Sequence, residues 1–152
     1  MFKIYTRYGL ITAAILIAYF LLLKLIGLHN MPVFSAANGL IFAVGIYLAM
    51  KSYKNKKSRF KYQKGFQLGL FTGGIATLVF TVFMAIFIYQ IDSEFADTIV
   101  EGWSLDMDSG KLLILISLVF MGFSTSLVLT LSFMQLLKDT WNDAEGKRNS
   151  LK

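Results

Sequence analysis

The fold class this sequence predicts is all-α: an integral membrane four-helix bundle of two antiparallel hairpins, with a short amphipathic helix in one loop. Three observations predict it. Hydrophobic residues make up 56% of the chain, outside the range of soluble domains. They gather in four runs, each close to the roughly 20 apolar residues that a helix needs to cross a bilayer. The charges are sorted between those runs by sign, a membrane pattern rather than a nucleic-acid one.

The runs are Gly9 to Leu28, Val33 to Met50, Gly65 to Ile91 and Leu112 to Leu137, within one domain spanning 1–152. Lys3 and Arg7 precede the first like the start of a signal peptide, but Gly9 to Leu28 exceeds a signal core of roughly 7–15 residues. It reads as a retained span. His29, Asn30, Met31 and Pro32 make a tight turn, with the proline suited to the first turn of the second helix. The third and fourth runs are longer than a bilayer requires, so their helices should tilt or protrude. In the loop from 92 to 111, Phe95, Ile99, Val100 and Trp103 recur at helical spacing behind Ser93, the pattern of an amphipathic helix lying on a leaflet.

Orientation follows from the cations. Every Lys and Arg except Lys24 and Lys111 lies before the first run, between the second and third, or after the fourth. Cytoplasmic segments carry such an excess, which places both termini and the loop from 51 to 64 in the cytoplasm. That loop holds Lys51, Lys54, Lys56, Lys57, Arg59, Lys61 and Lys64 with no acid. It is a topology determinant suited to anionic headgroups, each cation contributing about 1 kcal/mol near the surface. A docking role toward an acidic protein or RNA is the sharper alternative, and nucleic acid is the weaker of these partners. The opposite loop holds Asp92, Glu94, Asp97, Glu101, Asp106 and Asp108. Asp106 and Asp108 alternate like calcium ligands, but the glycine and closing glutamate of that motif are out of register.

Packing faces are legible as well. Gly65, Gly69, Gly73, Thr77, Thr81 and Ala85 fall four apart in the third run, a stripe of small residues along one helix face. Such stripes let helices approach closely in lipid. Gly39 and Ala43 in the second run, and Gly122 and Ser126 in the fourth, have the same step. These faces serve packing within the bundle, with a homo-oligomer as the alternative use.

Catalytic parts are scarce. The chain lacks cysteine and has one histidine, which leaves no thiolate chemistry, no serine–histidine pair inside a span and little for a metal. No cofactor motif is present, and the protein is expected not to be an enzyme. No run contains Asp or Glu, which argues against proton-coupled transport. The charged residue within a run is Lys24, in snorkelling reach of the interface. Lys24, His29, Asn38, Gln90 and Asp92 form a candidate polar patch in the outer half of the bundle; the plainer alternative is Lys24 paired with Asp92 or Glu94.

The segment Phe60-Lys61-Tyr62-Gln63-Lys64-Gly65-Phe66-Gln67-Leu68-Gly69, and farther on Tyr89-Gln90-Ile91-Asp92-Ser93-Glu94-Phe95, resembles a widespread bacterial family of uncharacterised four-span membrane proteins. In that family proline often stands where this chain has Ser93. The Tyr8-Gly9-Leu10 start of the first run is also similar. The resemblance implies a bacterial inner-membrane protein and brings no active site. The function expected is a non-catalytic scaffold or accessory subunit with a protein partner, or alternatively a small transporter or lipid-binding protein using the polar patch.

Overall fold

The computed structural model describes residues 1–27, 32–55, 62–92, 94–95 and 107–137, with backbone alone for 32–36, 107 and 108. Among the described residues it contains four long helices and no strand. Helix α1 runs over Phe2–Ile26, α2 over Pro32–Asn55, α3 over Tyr62–Ile86 and α4 over Met107–Leu137. A π-helical turn, Phe87–Ile91, prolongs α3.

Each helix outruns its apolar segment. α1 begins before Lys3 and Arg7, α2 carries on through Lys51 and Lys54, and α4 starts upstream of Lys111. The segment from 51 to 64 is therefore helical at both ends, up to Asn55 and from Tyr62. Lys, Arg, Gln and Met are good helix formers, so hydropathy marks what lipid could cover rather than where backbone hydrogen bonding stops. α1 ends at Gly27, whose φ of 76° permits the left-handed cap and lets its N–H bond the Lys24 carbonyl at 3.1 Å. Pro32 occupies the first position of α2, where its missing N–H costs no helical bond.

Among the described residues three helical stretches, Phe2–Ile26, Tyr62–Ile91 and Ser109–Leu137, are long and apolar enough to cross a membrane. The apolar run of α2 is interrupted by Asn38, Gly39, Gly45 and Tyr47 and ends on cations, so this unbroken helix is less apolar in its described part. α4 has 31 residues, roughly 46 Å of helix, more than a hydrocarbon core of roughly 30 Å.

α3 sits at the centre, against α1 on one side and α4 on the other, while α2 touches all three. The contacts give the directions. Tyr5 stacks on Phe71 and Phe20 meets Phe87, so α1 and α3 run the same way. Gly69 faces Thr130, Gly73 faces Ser126 and Thr77 faces Gly122, so α4 runs against α3. Gly45 of α2 lies on Thr12, and Tyr47 packs on Phe133. Lys54 reaches from α2 to donate to the Leu137 carbonyl at 2.9 Å, supplying a cation to the end of α4, whose own last turn has none.

Two apolar clusters fill the interior. Ile46, Met50, Leu68, Ala76 and Met134 anchor the one nearer Lys54. Phe20, Met84, Phe87, Ile88 and Ile114 form the other, at the Lys24 end. Outward, large apolar side chains stay exposed on all four helices, among them Leu22 and Leu25 on α1, Leu40 and Val44 on α2, Leu78 and Val82 on α3, and Phe120, Val128 and Leu136 on α4. Water would penalise apolar surface on that scale, whereas lipid solvates it.

Candidate ligand cleft and the Lys24 cluster

The small-residue stripe of α3 meets α4 as a series of glycines set against hydroxyl residues. A Cβ added at Gly73 would collide with the Ser126 side chain, one at Gly69 with Thr130, and one at Gly122 with Thr77. Contact this close is what joins helices in lipid. The series stops after Thr77 and Gly122. One turn farther toward the Lys24 end, α3 presents Thr81 but α4 presents Leu118.

There the helices part around a cavity of about 300 Å³. α1 contributes Leu16; α2 contributes Asn38, Gly39 and Phe42; α3 contributes Thr77, Phe80 and Thr81; α4 contributes Leu118, Met121, Gly122 and Thr125. The walls are mainly apolar, and none of these lining residues carries a charge. Gly39, Met121 and Thr125 are exposed, so the cavity opens sideways between α2 and α4.

Polar atoms inside it lack partners. Thr77 is only 4% exposed and its Oγ1 has no hydrogen bond; the same is true of Thr81 Oγ1 and Asn38 Oδ1, both buried atoms. Outside the cavity the hydroxyls are mixed: Thr12 donates to the Tyr8 carbonyl at 2.8 Å and Thr72 to the Leu68 carbonyl at 2.7 Å. The hydroxyl oxygens of Thr6, Ser126 and Thr130 are buried without a hydrogen bond, but Ser126 and Thr130 sit in packed contacts with Gly73 and Gly69 that leave no room for a guest. An unmet hydroxyl or amide in an apolar setting costs about 1–3 kcal/mol, so a guest able to bond with them would be held.

The second polar feature lies where α1 and α3 end. Lys24 Nζ pairs with Asp92 Oδ2 at 2.5 Å, each side chain about a quarter exposed. The π turn sets this geometry: the Asp92 N–H bonds the Phe87 carbonyl at 2.9 Å, a five-residue closure. Asp92 Oδ1 in turn accepts from the Phe95 N–H at 3.0 Å. The ammonium lies 4.8 Å from the Phe95 ring centre and 5.7 Å from that of Phe87, a favourable placement for a cation. Phe20 packs edge-on to Phe87 and Phe95 beneath it. The cluster ties the ends of α1 and α3 and leaves Lys24 engaged on several sides.

The expected outer-half patch is thus divided. Lys24 and Asp92 come together, Gln90 is exposed on the π turn, Asn38 lines the cleft, and His29 lies outside the described residues. The packing residues also divide. Gly65, Gly69, Gly73, Thr77 and Ser126 are buried, and Gly122 is half-buried against Thr77. Gly39 is exposed with open space where a Cβ would sit, and Ala43 is half-buried. α2 instead buries Phe42, Ile46, Ala49, Met50 and Tyr53, and its close approach to α1 is made by Gly45. Lys51 and Lys64 are exposed, whereas Lys56, Lys57, Arg59 and Lys61 lie outside the described residues. Of the amphipathic helix expected around Phe95, Ile99, Val100 and Trp103, only Glu94 and Phe95 are described, both helical.

Among the described residues no group of His, Cys, Asp or Glu could hold a metal ion. Fold and cleft therefore define a class: an apolar helical bundle with, among the described residues, three helices long and apolar enough to cross a membrane and a lateral cavity lined by uncharged groups. The chain belongs to the family described as protein of unknown function DUF4199, which matches residues 7–111, from α1 to the first turns of α4. No curated protein and no solved structure matches it.

Proposed function

We propose that the protein crosses a bacterial inner membrane four times, as two antiparallel hairpins, α1 with α2 and α3 with α4. Both termini and the cationic segment from 51 to 64 face the cytoplasm in this reading. Its role is non-catalytic, as a scaffold or accessory subunit of a larger membrane complex, with anionic headgroups against the cationic segment. The observation that carries the reading is the uneven use of the spans. The apolar stretch of α3 is 44% buried, whereas that of α4 is 11% buried. A long helix so little covered by its own chain presents most of its surface to lipid or to another membrane helix. Sorting of Lys and Arg supports the orientation, and α2 as the fourth span is what puts both ends on one side.

The chain has no cysteine, so single-cysteine variants report topology without background. Asn55→Cys and Gln90→Cys alter exposed residues near opposite ends of the bundle. An impermeant maleimide on intact spheroplasts should label Gln90→Cys at once and Asn55→Cys only after lysis. The reverse order would sink the orientation. Solubilisation in mild detergent should bring down a stoichiometric protein partner; recovery of this chain with lipid alone would remove the accessory role.

A further inference from the structure

We propose that the cavity between α2 and α4 is a binding site for a neutral bilayer amphiphile, an acyl chain bearing a hydroxyl headgroup of the monoacylglycerol kind. Three features of the cleft specify this chemistry. Its volume, about 300 Å³, admits a headgroup with part of a chain rather than a whole phospholipid. Leu16, Phe42, Phe80 and Met121 supply apolar walls, and no lining side chain is ionisable, so a charged headgroup would find no counter-ion and would lose its hydration. Asn38 Oδ1, Thr77 Oγ1 and Thr81 Oγ1 are buried without hydrogen bonds. Asn38 Oδ1 only accepts, so its partner must donate, which a hydroxyl does and an ester does not. The hydroxyls of Thr77 and Thr81 can both give and receive.

Access is lateral. Gly39 has open space at its Cβ position and Met121 is 67% exposed, so the mouth faces the surroundings of the bundle and a chain can enter from the side. Lateral entry rests on the membrane placement proposed above. The Lys24 cluster takes no part, since its ammonium already holds Asp92 and two aromatic faces.

The test uses the full chain in lipid nanodiscs and a monoacylglycerol carrying a photoreactive diazirine in its acyl chain. Peptide mapping should place crosslinks on the lining segments of α2, α3 and α4 well above those on the outward residues Leu78 and Val128. Excess monooleoylglycerol should displace the cleft label, and methyl oleate, which lacks a donor, should not. Asn38→Leu should weaken cleft labelling about tenfold, as expected for one lost hydrogen bond. Gly39→Leu fills open space at the mouth and so should fold normally, with its cleft label abolished. Equal labelling of cleft and outward faces, equal competition by methyl oleate, or a cleft label untouched by Gly39→Leu would overturn the proposal. Loss of label on Leu78 and Val128 as well would instead overturn the bilayer placement, and this proposal with it.

Discussion

Below and above the Thr77–Gly122 contact, the same pair of helices behaves in two different ways. Toward the Lys54 end, Gly69 and Gly73 meet Thr130 and Ser126 so closely that no Cβ could be added at the glycines. Toward the Lys24 end, Thr81 and Leu118 instead share the wall of a cavity. The difference teaches that a small-residue stripe works only as a pair. α3 keeps its four-residue step through Thr81 and Ala85, but α4 answers Gly122 with Leu118 and then Ile114. Once one side carries bulk, the backbones no longer touch.

The most damaging way to break this contrast is Gly73→Leu, which drives a side chain into Ser126 and Ile46. We expect a loss of about 2–3 kcal/mol, read from denaturant titration of helicity in micelles. A loss under 0.5 kcal/mol would mean that α3 and α4 are not held by that contact. Lys24→Met comes next. It leaves Asp92 with the Phe95 N–H among its remaining partners, and partial exposure limits the cost to about 1–2 kcal/mol. A cycle with Asp92→Asn should show the two changes to be non-additive.

Thr81→Val sharpens the comparison by changing sign. It replaces an unpartnered buried hydroxyl with a methyl of similar shape, so stability without ligand should rise by up to about 1 kcal/mol. A drop of that size would show that Thr81 Oγ1 is already bonded in the protein. Gly39→Ala should do least, within about 0.5 kcal/mol of the parent, because nothing lies near the added carbon. In the same titration a large effect there would mean that α2 turns a different face inward.

Much of the bundle was legible in the sequence, for local reasons. The apolar runs, their cationic and acidic flanks and the stripe on α3 are periodic features of one segment at a time. Helix ends were less legible, because Lys51, Lys54 and Tyr62 continue helices that hydropathy would stop. The stripe on α2 misled: Gly39 and Ala43 have the right step, yet Gly45 is the residue laid on Thr12. Several residues share that spacing, and which face turns inward depends on neighbours the segment does not contain. Thr81 was visible as part of a stripe but not as part of a cavity. The available signal was Leu118, standing where a small partner would have closed the gap.

The sequence alone determined the apolar helical segments and the family, and it offered Asp92 and Glu94 at the end of α3 as alternative acids for Lys24. Tertiary structure decided which acid it is: the π turn bonds Asp92 back to Phe87 and brings its carboxylate to the ammonium. It also decided that Asn38 lies in the cleft with Thr77 and Thr81 rather than beside Lys24. Periodicity assigns a residue to a face of its own helix, whereas a cavity exists only where four faces from different helices fail to fill the space between them.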